Sequence, residues 1–457
     1  MFEIPIDTWL MVWLGAAAFV LVRHWRTGIG SGLVFAYVLS FGAMHVLAPA
    51  LYLLPWYDSD RAMLTALGLR ESTLALLAFA AGTEVARLIV RRQVALRPEL
   101  LDATPTVDNR VVNLYLVCGL LAYALSPVIS RLPSGSALVS AGSMLGVVAI
   151  GLKCWNAWAE RRWATLWLWL AGTTLLPVLT VVLQGFLGYG FVAMLSVLAF
   201  VASFYRPRWQ VVAAGMVLLY LGMSVYVTYM RDRTDIRDVV WAGASMDERV
   251  AQLQETVATA EWFDLRDRAH LERVDVRLNQ DFLIGAAIVY LEGGMTPYAR
   301  GETLWLALAA VIPRALWPDK PVVAGSGTLV SDYTGIIFVE GTSVGIGQVM
   351  EAYVNFGTAG VIVGFVIVGA LLSFVDRQAF FRLHAGRADA FLLWFLPGLA
   401  LLQIGGAFSE ATSTAAAAIL VAIGLKHLAG RLYPVRAETT GDPDPDAEAV
   451  AQTEGSR

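Results

Sequence analysis

Three groups of residues in this chain have types and spacings that could do chemistry. The first is VIPRALWPDKP (311–321), where Pro313, Pro318 and Pro321 bracket Arg314, Trp317 and Lys320. Proline fixes φ, so cations on such a backbone are set in place before a ligand arrives. Fixed cations of this kind neutralise an anion that develops or departs, which is a large contribution in a low-dielectric site. Trp317 is the residue type that settles at headgroup level. The second group is Glu351, flanked by Gln348 and Asn355 at i−3 and i+4 on one helical face. Either this carboxylate orients or deprotonates a hydroxyl, or it pairs with an arginine inside a bundle. Glu302 and Asp332 are weaker candidates for a base. The third group is a run of arginines: Arg231, Arg233, Arg237, Arg266, Arg268, Arg273, Arg277 and Arg300. Either they pair with the many neighbouring acids and anchor in headgroups, or some converge on a polyanionic, lipid-linked ligand. Arginine suits the second role because its planar fork binds phosphate through two parallel hydrogen bonds.

The elements that must position these groups are membrane helices. Of 457 residues, 57% are hydrophobic and only 15% charged, against about 25% charged in soluble domains. The apolar residues fall in long runs, and about 18 in a row suffice to cross a bilayer core. Eleven segments can be drawn: 8–22, 31–54, 72–90, 111–129, 137–152, 163–183, 186–204, 209–230, 345–373, 388–407 and 412–430. The stretch 163–204 has no charge and is too long for one crossing, so QGFLGYG (184–190) is read as a hairpin between two spans. The chain is therefore expected to be all-α, a polytopic helical membrane protein. An ionisable group at membrane depth, as Glu351 would be, costs on the order of 2.5–3.5 kcal/mol on insertion scales and is by default a functional candidate.

Charge placement gives the orientation. The loops 23–26, 91–97, 159–163, 205–208, 376–387 and 426–431 are net basic and fall on alternate ends of the spans. The positive-inside rule puts them in the cytoplasm, with the N-terminus outside and the C-terminus inside. The N-terminus lacks the basic region of a cleaved signal peptide, so its apolar run is read as a retained span. The chain divides into a bundle of about eight spans (1–230), a large outward segment (231–344), three further spans (345–436) and an acidic tail (437–457) expected to be disordered.

Within the outward segment, 246–263 reads as an amphipathic helix with Val250, Leu253 and Val257 on its apolar side. In 265–280, Leu265, Ala269, Val274 and Leu278 form a rough stripe. The apolar stretches 282–291 and 303–312 are too short to span and read as re-entrant or interfacial helices. Cys118 and Cys154 offer no disulfide framework. The histidines are scattered, and His270 is expected at the surface. The D-x-D triplet at 58–60 is too short a motif to imply a metal, so neither metal nor cofactor is expected. With a net charge of −4 and tryptophans placed as interface residues, no nucleic-acid partner is expected either.

IPRALWPDKP (312–321) and EAYVNFG (351–357), set after a large outward segment in a multispan chain, resemble the Wzy-type O-antigen and exopolysaccharide polymerases of bacterial inner membranes. The likeness covers roughly 277–372. It implies a fold like that of the C-type membrane glycosyltransferases, work without a metal, and transfer of an undecaprenyl-diphosphate-linked glycan to a second lipid-linked repeat unit. The partners it implies are those lipid-linked glycans, the bilayer and a chain-length regulator. With it, Arg314, Lys320 and Glu351 are the expected catalytic residues. Arg231, Arg233, Arg277, Arg300, Trp317, Tyr353 and Asn355 are the expected substrate contacts. Two alternatives stay open. An O-antigen ligase would need an outward histidine, for which His270 is the candidate. A transporter or flippase would show inverted repeats and broken, charge-bearing helices.

Overall fold

The computed structural model describes residues 5–95, 98–101, 103–129, 135–205, 209–314, 316–321, 325–338 and 344–433; the tail expected to be disordered lies outside them. The described residues form helices and connectors, without a strand. The first half contains α1 (Ile6–Thr27), α2 (Leu33–His45), α3 (Leu47–Leu51), α4 (Ala62–Ala95), α5 (Asn109–Ala124), α6 (Ser126–Ile129) and α7 (Gly135–Ala159). Next come α8 (Trp163–Gly172), α9 (Leu175–Gln184), α10 (Leu187–Phe204) and α11 (Trp209–Trp241). Between α11 and the final helices lie α12 (Met246–Ala258), α13 (Arg268–Arg277), α14 (Gln280–Glu292), α15 (Glu302–Ala310) and α16 (Ser326–Thr334). The chain closes with α17 (Gln348–His384), α18 (Ala388–Ala400) and α19 (Phe408–Leu432).

Among the described residues, seven helical segments are long and apolar enough to cross a membrane: 6–27, 62–91, 135–159, 163–184, 187–204, 348–384 and 408–432. The shorter helices α2, α5 and α18 are apolar as well. Apolar side chains also cover the outside: Met11, Ile89, Leu168, Val363 and Ile367 are each more than half exposed. Water would penalise such a surface and lipid would not. The protein is a helical membrane protein.

Local chemistry explains where the helices stop. Gly185, at φ 75°, ends α9 in the left-handed conformation and starts the hairpin into α10, as the glycines of 184–190 predict. Pro177 lies in the first turn of α9 and has no N–H to offer the carbonyl of Thr173, so the uncharged run breaks between α8 and α9. α2 begins where Asp376 of α17 accepts hydrogen bonds from the Ser31 and Leu33 N–H groups, at 2.9 and 2.8 Å. A carboxylate from a distant helix thus caps the orphan donors.

The centre of the bundle is α4 packed on α17 and crossed by α14. Gly82 and Gly369 stand where α4 and α17 meet backbone to backbone, and Gly68 and Gly285 do the same between α4 and α14. Any Cβ at these positions would collide with the facing main chain, which is why small residues sit there. α14 is about 20 Å long, too short to cross, yet Asp281, Ile284 and Ala287 are fully buried. It is inserted into the bundle rather than laid over it.

Two sequence expectations shift. α11 does not end at residue 230 but runs on as helix to Trp241, carrying the charge cluster of 230–238 on its outer turns. In α12 only Leu253 of the expected stripe packs inward, beside Val181, Tyr229 and Ile236. Val257 is 63% exposed.

Candidate functional site

The outer turns of α11 put Tyr226, Tyr229, Arg233 and Arg237 at i, i+3, i+7 and i+11, a single stripe along one helical face. α13 packs against it through Val274 and Leu271, near Met223 and Tyr226, and ends at Arg277. The Arg237 guanidinium lies 4.4 Å from the centre of the Phe186 ring and 5.2 Å from that of Trp241, and its Nε donates to the Gly185 carbonyl at 3.2 Å. Tyr229 donates to the same carbonyl at 2.8 Å. Among the described residues, none of Arg233, Arg237 and Arg277 pairs with a carboxylate within 4 Å. Burial, then the neighbouring Arg277 and Arg237, push Arg233 down to about 10. Beside them, the Tyr226 hydroxyl is buried without a hydrogen-bond partner. Guanidinium groups without a carboxylate and an orphaned hydroxyl at one place are the features of an anion site.

Arg231 and Arg273 nearby are consumed locally. Arg231 pairs with Asp232 at 2.6 Å and with Glu261 at 2.8 Å. Glu261 also accepts from Arg273 at 2.9 Å and meets His270 Nε2 at 3.0 Å. The Arg231 hydrogen bond, with those of His270 and Arg273, holds the Glu261 carboxyl down to about 2 against its partial burial. His270, expected at the surface, is buried. Its Nδ1 accepts from the Asp264 N–H at 3.1 Å, so in the neutral ring Nε2 carries the proton and donates to Glu261.

The structure brings Arg314 and Lys320 together, but onto carbonyls. Arg314 donates to the carbonyls of Lys320 at 3.2 Å and Pro318 at 3.4 Å. Lys320 donates to those of Ile312 at 2.8 Å and Ala310 at 3.4 Å, at the end of α15. Burial, and then the Arg314 charge, lower the Lys320 pKa. Trp317 is half-buried at the tip. Arg300 is exposed and left-handed, at φ 49°, just before Gly301, the residue that starts α15.

The polar stripe of α17 lies on a broken helix. At Phe356 and Gly357 the backbone leaves helical geometry, with Gly357 at φ 61°, which separates a half-helix, 348–355, from the long remainder. Gln348, Glu351 and Asn355 are each only 1% exposed. Each one ties down another element. Gln348 accepts from Tyr37 of α2 at 2.7 Å and donates to the Leu401 carbonyl at 3.1 Å. Glu351 accepts from the Phe408 N–H at 2.6 Å, capping α19. Asn355 accepts from the Gly301 N–H at 2.9 Å and donates to Thr303 at 2.7 Å, holding the start of α15. Tyr353 turns the other way and donates to Glu292 at 3.0 Å.

Sequence reasoning missed Glu410. It lies exposed in the first turn of α19, accepts from Ser326 of α16 at 2.9 Å, and is close enough to Glu351 to act on its charge. The Tyr189 phenol, whose neighbour Phe186 carries Arg237, feels both Arg237 and Glu410. The only signal for Glu410 was an acid in an otherwise uncharged outer loop, GGAFSE (405–410).

No curated protein and no solved structure matches the chain. Residues 56–383, from just before α4 to the end of α17, match a family described as "Domain of unknown function (DUF8712)". That span takes in the arginine wall, the segment 311–321 and the broken helix, and the chain belongs to the DUF8712 family.

Proposed function

We propose that the protein is a membrane glycosyltransferase that polymerises undecaprenyl-diphosphate-linked oligosaccharide repeat units into O-antigen or exopolysaccharide at the periplasmic face of a bacterial inner membrane. In this reading all eleven apolar segments cross, with a C-type-glycosyltransferase-like arrangement, a periplasmic N-terminus and a cytoplasmic C-terminus. The observation that carries it is the cluster of Arg233, Arg237 and Arg277, which have no carboxylate partner among the described residues, at the charged end of a long helix whose body is apolar. A lipid diphosphate brings two phosphates to that depth and leaves its chain in the bilayer.

Chemically, an acceptor hydroxyl oxygen forms a bond to the donor's anomeric carbon as the carbon–oxygen bond to diphosphate breaks. The electron pair leaves with undecaprenyl diphosphate, whose charge the guanidinium groups neutralise, and the hydroxyl proton passes to the Glu410 carboxylate. Arg300, Arg314, Trp317 and Lys320, at the two ends of α15, are taken to meet the substrate from there, while the buried Tyr353 and Asn355 act through the elements they hold. Glu410, exposed and bonded to Ser326, is better placed to meet a hydroxyl than Glu351, whose carboxylate is held by α19.

The break in α17 beside the buried Glu351 favours a second reading, a flippase of the same lipid-linked substrate. The ligase alternative draws less support, since both nitrogens of His270 are engaged. Purified protein in liposomes with lipid-linked repeat units decides among them. Growth of a glycan ladder is expected. Substrate translocation without new glycosidic bonds replaces the proposal with the flippase, and transfer only to lipid A core replaces it with the ligase.

A further inference from the structure

At the end of the bundle opposite the arginine wall is a cavity of about 220 Å³. Trp155, Trp158, Phe204 and Phe380 wall it with aromatic rings, and Ser31, Ser203 and His384 line it with polar groups. The rings brace one another: Trp155 and Trp158 each lie about 5 Å from Phe204, and His384 stacks on Phe380 at 3.7 Å.

Of the four polar side chains that line it, Thr104 has a hydroxyl able to donate or accept, and Ser31, Ser203 and His384 have already spent their hydrogens elsewhere. Ser31 donates its hydroxyl hydrogen to Asp376 at 2.8 Å, and Ser203 donates its own to the Phe200 carbonyl at 2.7 Å. His384 Nδ1 lies 3.0 Å from the Phe380 carbonyl, which can only accept, so Nδ1 carries the proton and Nε2 of the neutral ring keeps a lone pair. The Trp155 indole N–H donates to the Pro105 carbonyl at 2.9 Å. The Ser31 and Ser203 hydroxyl oxygens and one imidazole nitrogen are left as acceptors only, and the Thr104 oxygen can accept as well.

The helices add a field of the same sign. The cavity is lined from the C-terminal ends of α1, α7, α10 and α17, where the unpaired carbonyls carry partial negative charge. The one N-terminus there, that of α2, is already neutralised by Asp376. Acceptors, ring faces and helix C-termini all suit a compact organic cation bearing N–H donors.

We propose that this cavity binds a primary ammonium group, supplied either by an aminophospholipid headgroup or by a free small amine. Three N–H donors match three acceptors, and the alkyl carbon next to nitrogen lies against the rings. The site is independent of the glycosyl-transfer reading.

Calorimetric titration and thermal unfolding of the full-length protein in detergent test it, with ethylammonium as the probe and ethanol as the neutral counterpart of similar size. Ethylammonium should bind and raise the unfolding midpoint, and ethanol should not. His384→Phe and the milder Ser203→Ala should each weaken binding about tenfold, the loss of one hydrogen bond from a charged donor. Competition by short-chain phosphatidylethanolamine, but not by its choline analogue, identifies the lipid as the source. No competition by either identifies a free amine. Ethylammonium binding no better than ethanol, or unchanged in both variants, overturns the proposal.

Discussion

In the segment 311–321 the cations end on backbone carbonyls: Arg314 on Lys320 and Pro318, Lys320 on Ile312 and Ala310. At the last turns of α11, Arg237 also reaches one carbonyl, that of Gly185, but Arg233 has Tyr229, Arg237 and Arg277 as its neighbours. Both regions place basic side chains at the end of a helix. They differ in what answers the charge. Carbonyls at a helix end satisfy a cation cheaply and locally, whereas a second guanidinium raises the potential a ligand would relieve. The lesson is that lack of a partner, more than charge itself, marks where an anion is wanted.

The largest effect should come from breaking that contrast at its stronger pole. Arg233→Ala combined with Arg277→Ala should weaken undecaprenyl diphosphate binding on the order of 100-fold or more, since hydrogen bonds to charged groups are worth about 1.5–3 kcal/mol each. Arg314→Ala should change the same affinity by no more than a few-fold. Ligand titration against purified variants checks both, and the reverse ranking would move the diphosphate site to 311–321.

A second test compares the two carboxylates near α19. Glu351→Ala leaves the Phe408 N–H buried without an acceptor, a loss of about 1–3 kcal/mol in stability. Glu351→Gln keeps an acceptor oxygen and should recover most of it. If Glu351→Gln unfolds normally yet makes no polymer, the buried carboxylate and not Glu410 is serving the chemistry.

How much of this was readable in the sequence depended on whether the signal was local. The apolar runs, the Gly185 hairpin and the shortness of α14 and α15 follow from length and residue type, and each was legible. The shared face of Gln348, Glu351 and Asn355 was legible too, because i−3 and i+4 spacing is a property of one helix. What each residue touches was not: Tyr37, Phe408 and Gly301 come from elements up to 311 residues away. Helical continuation of α11 through 230–241 was hidden by reading charge onset as the end of a helix, when it marks only the end of the apolar run. Partnering of arginines was hidden for the same reason. Arg231 and Arg233 are two residues apart and look alike, but only Arg231 points at Glu261.

The Arg231–Glu261–Arg273 group lies between the poles, being charged and extramembrane but internally neutralised. Its folded carboxyl titrates near 2, against an ordinary value of 4.5. A depressed folded pKa contributes stability that is present above the unfolded value and is lost as pH falls through the folded one. Acid unfolding should therefore steepen between about 4.5 and 2, and Glu261→Gln should flatten that limb when midpoints are followed across pH. Because Glu261 is one-third exposed, solvent screening keeps the effect modest.

The smallest effect tests the weaker pole on its own terms. Lys320 donates to carbonyls that close α15, so its contribution should be that of a cation at a helix C-terminus, about 0.3–1 kcal/mol. Lys320→Ala should lower the unfolding midpoint slightly, and Lys320→Arg should restore it, since either side chain can reach the Ile312 carbonyl. High salt should shrink the difference between wild type and Lys320→Ala, because a partly exposed charge is screened. A loss of glycan polymerisation in Lys320→Ala at unchanged stability and unchanged diphosphate affinity would mean that the lysine leaves its carbonyls when substrate binds. The contrast between the two regions would then hold only for the protein without its substrate.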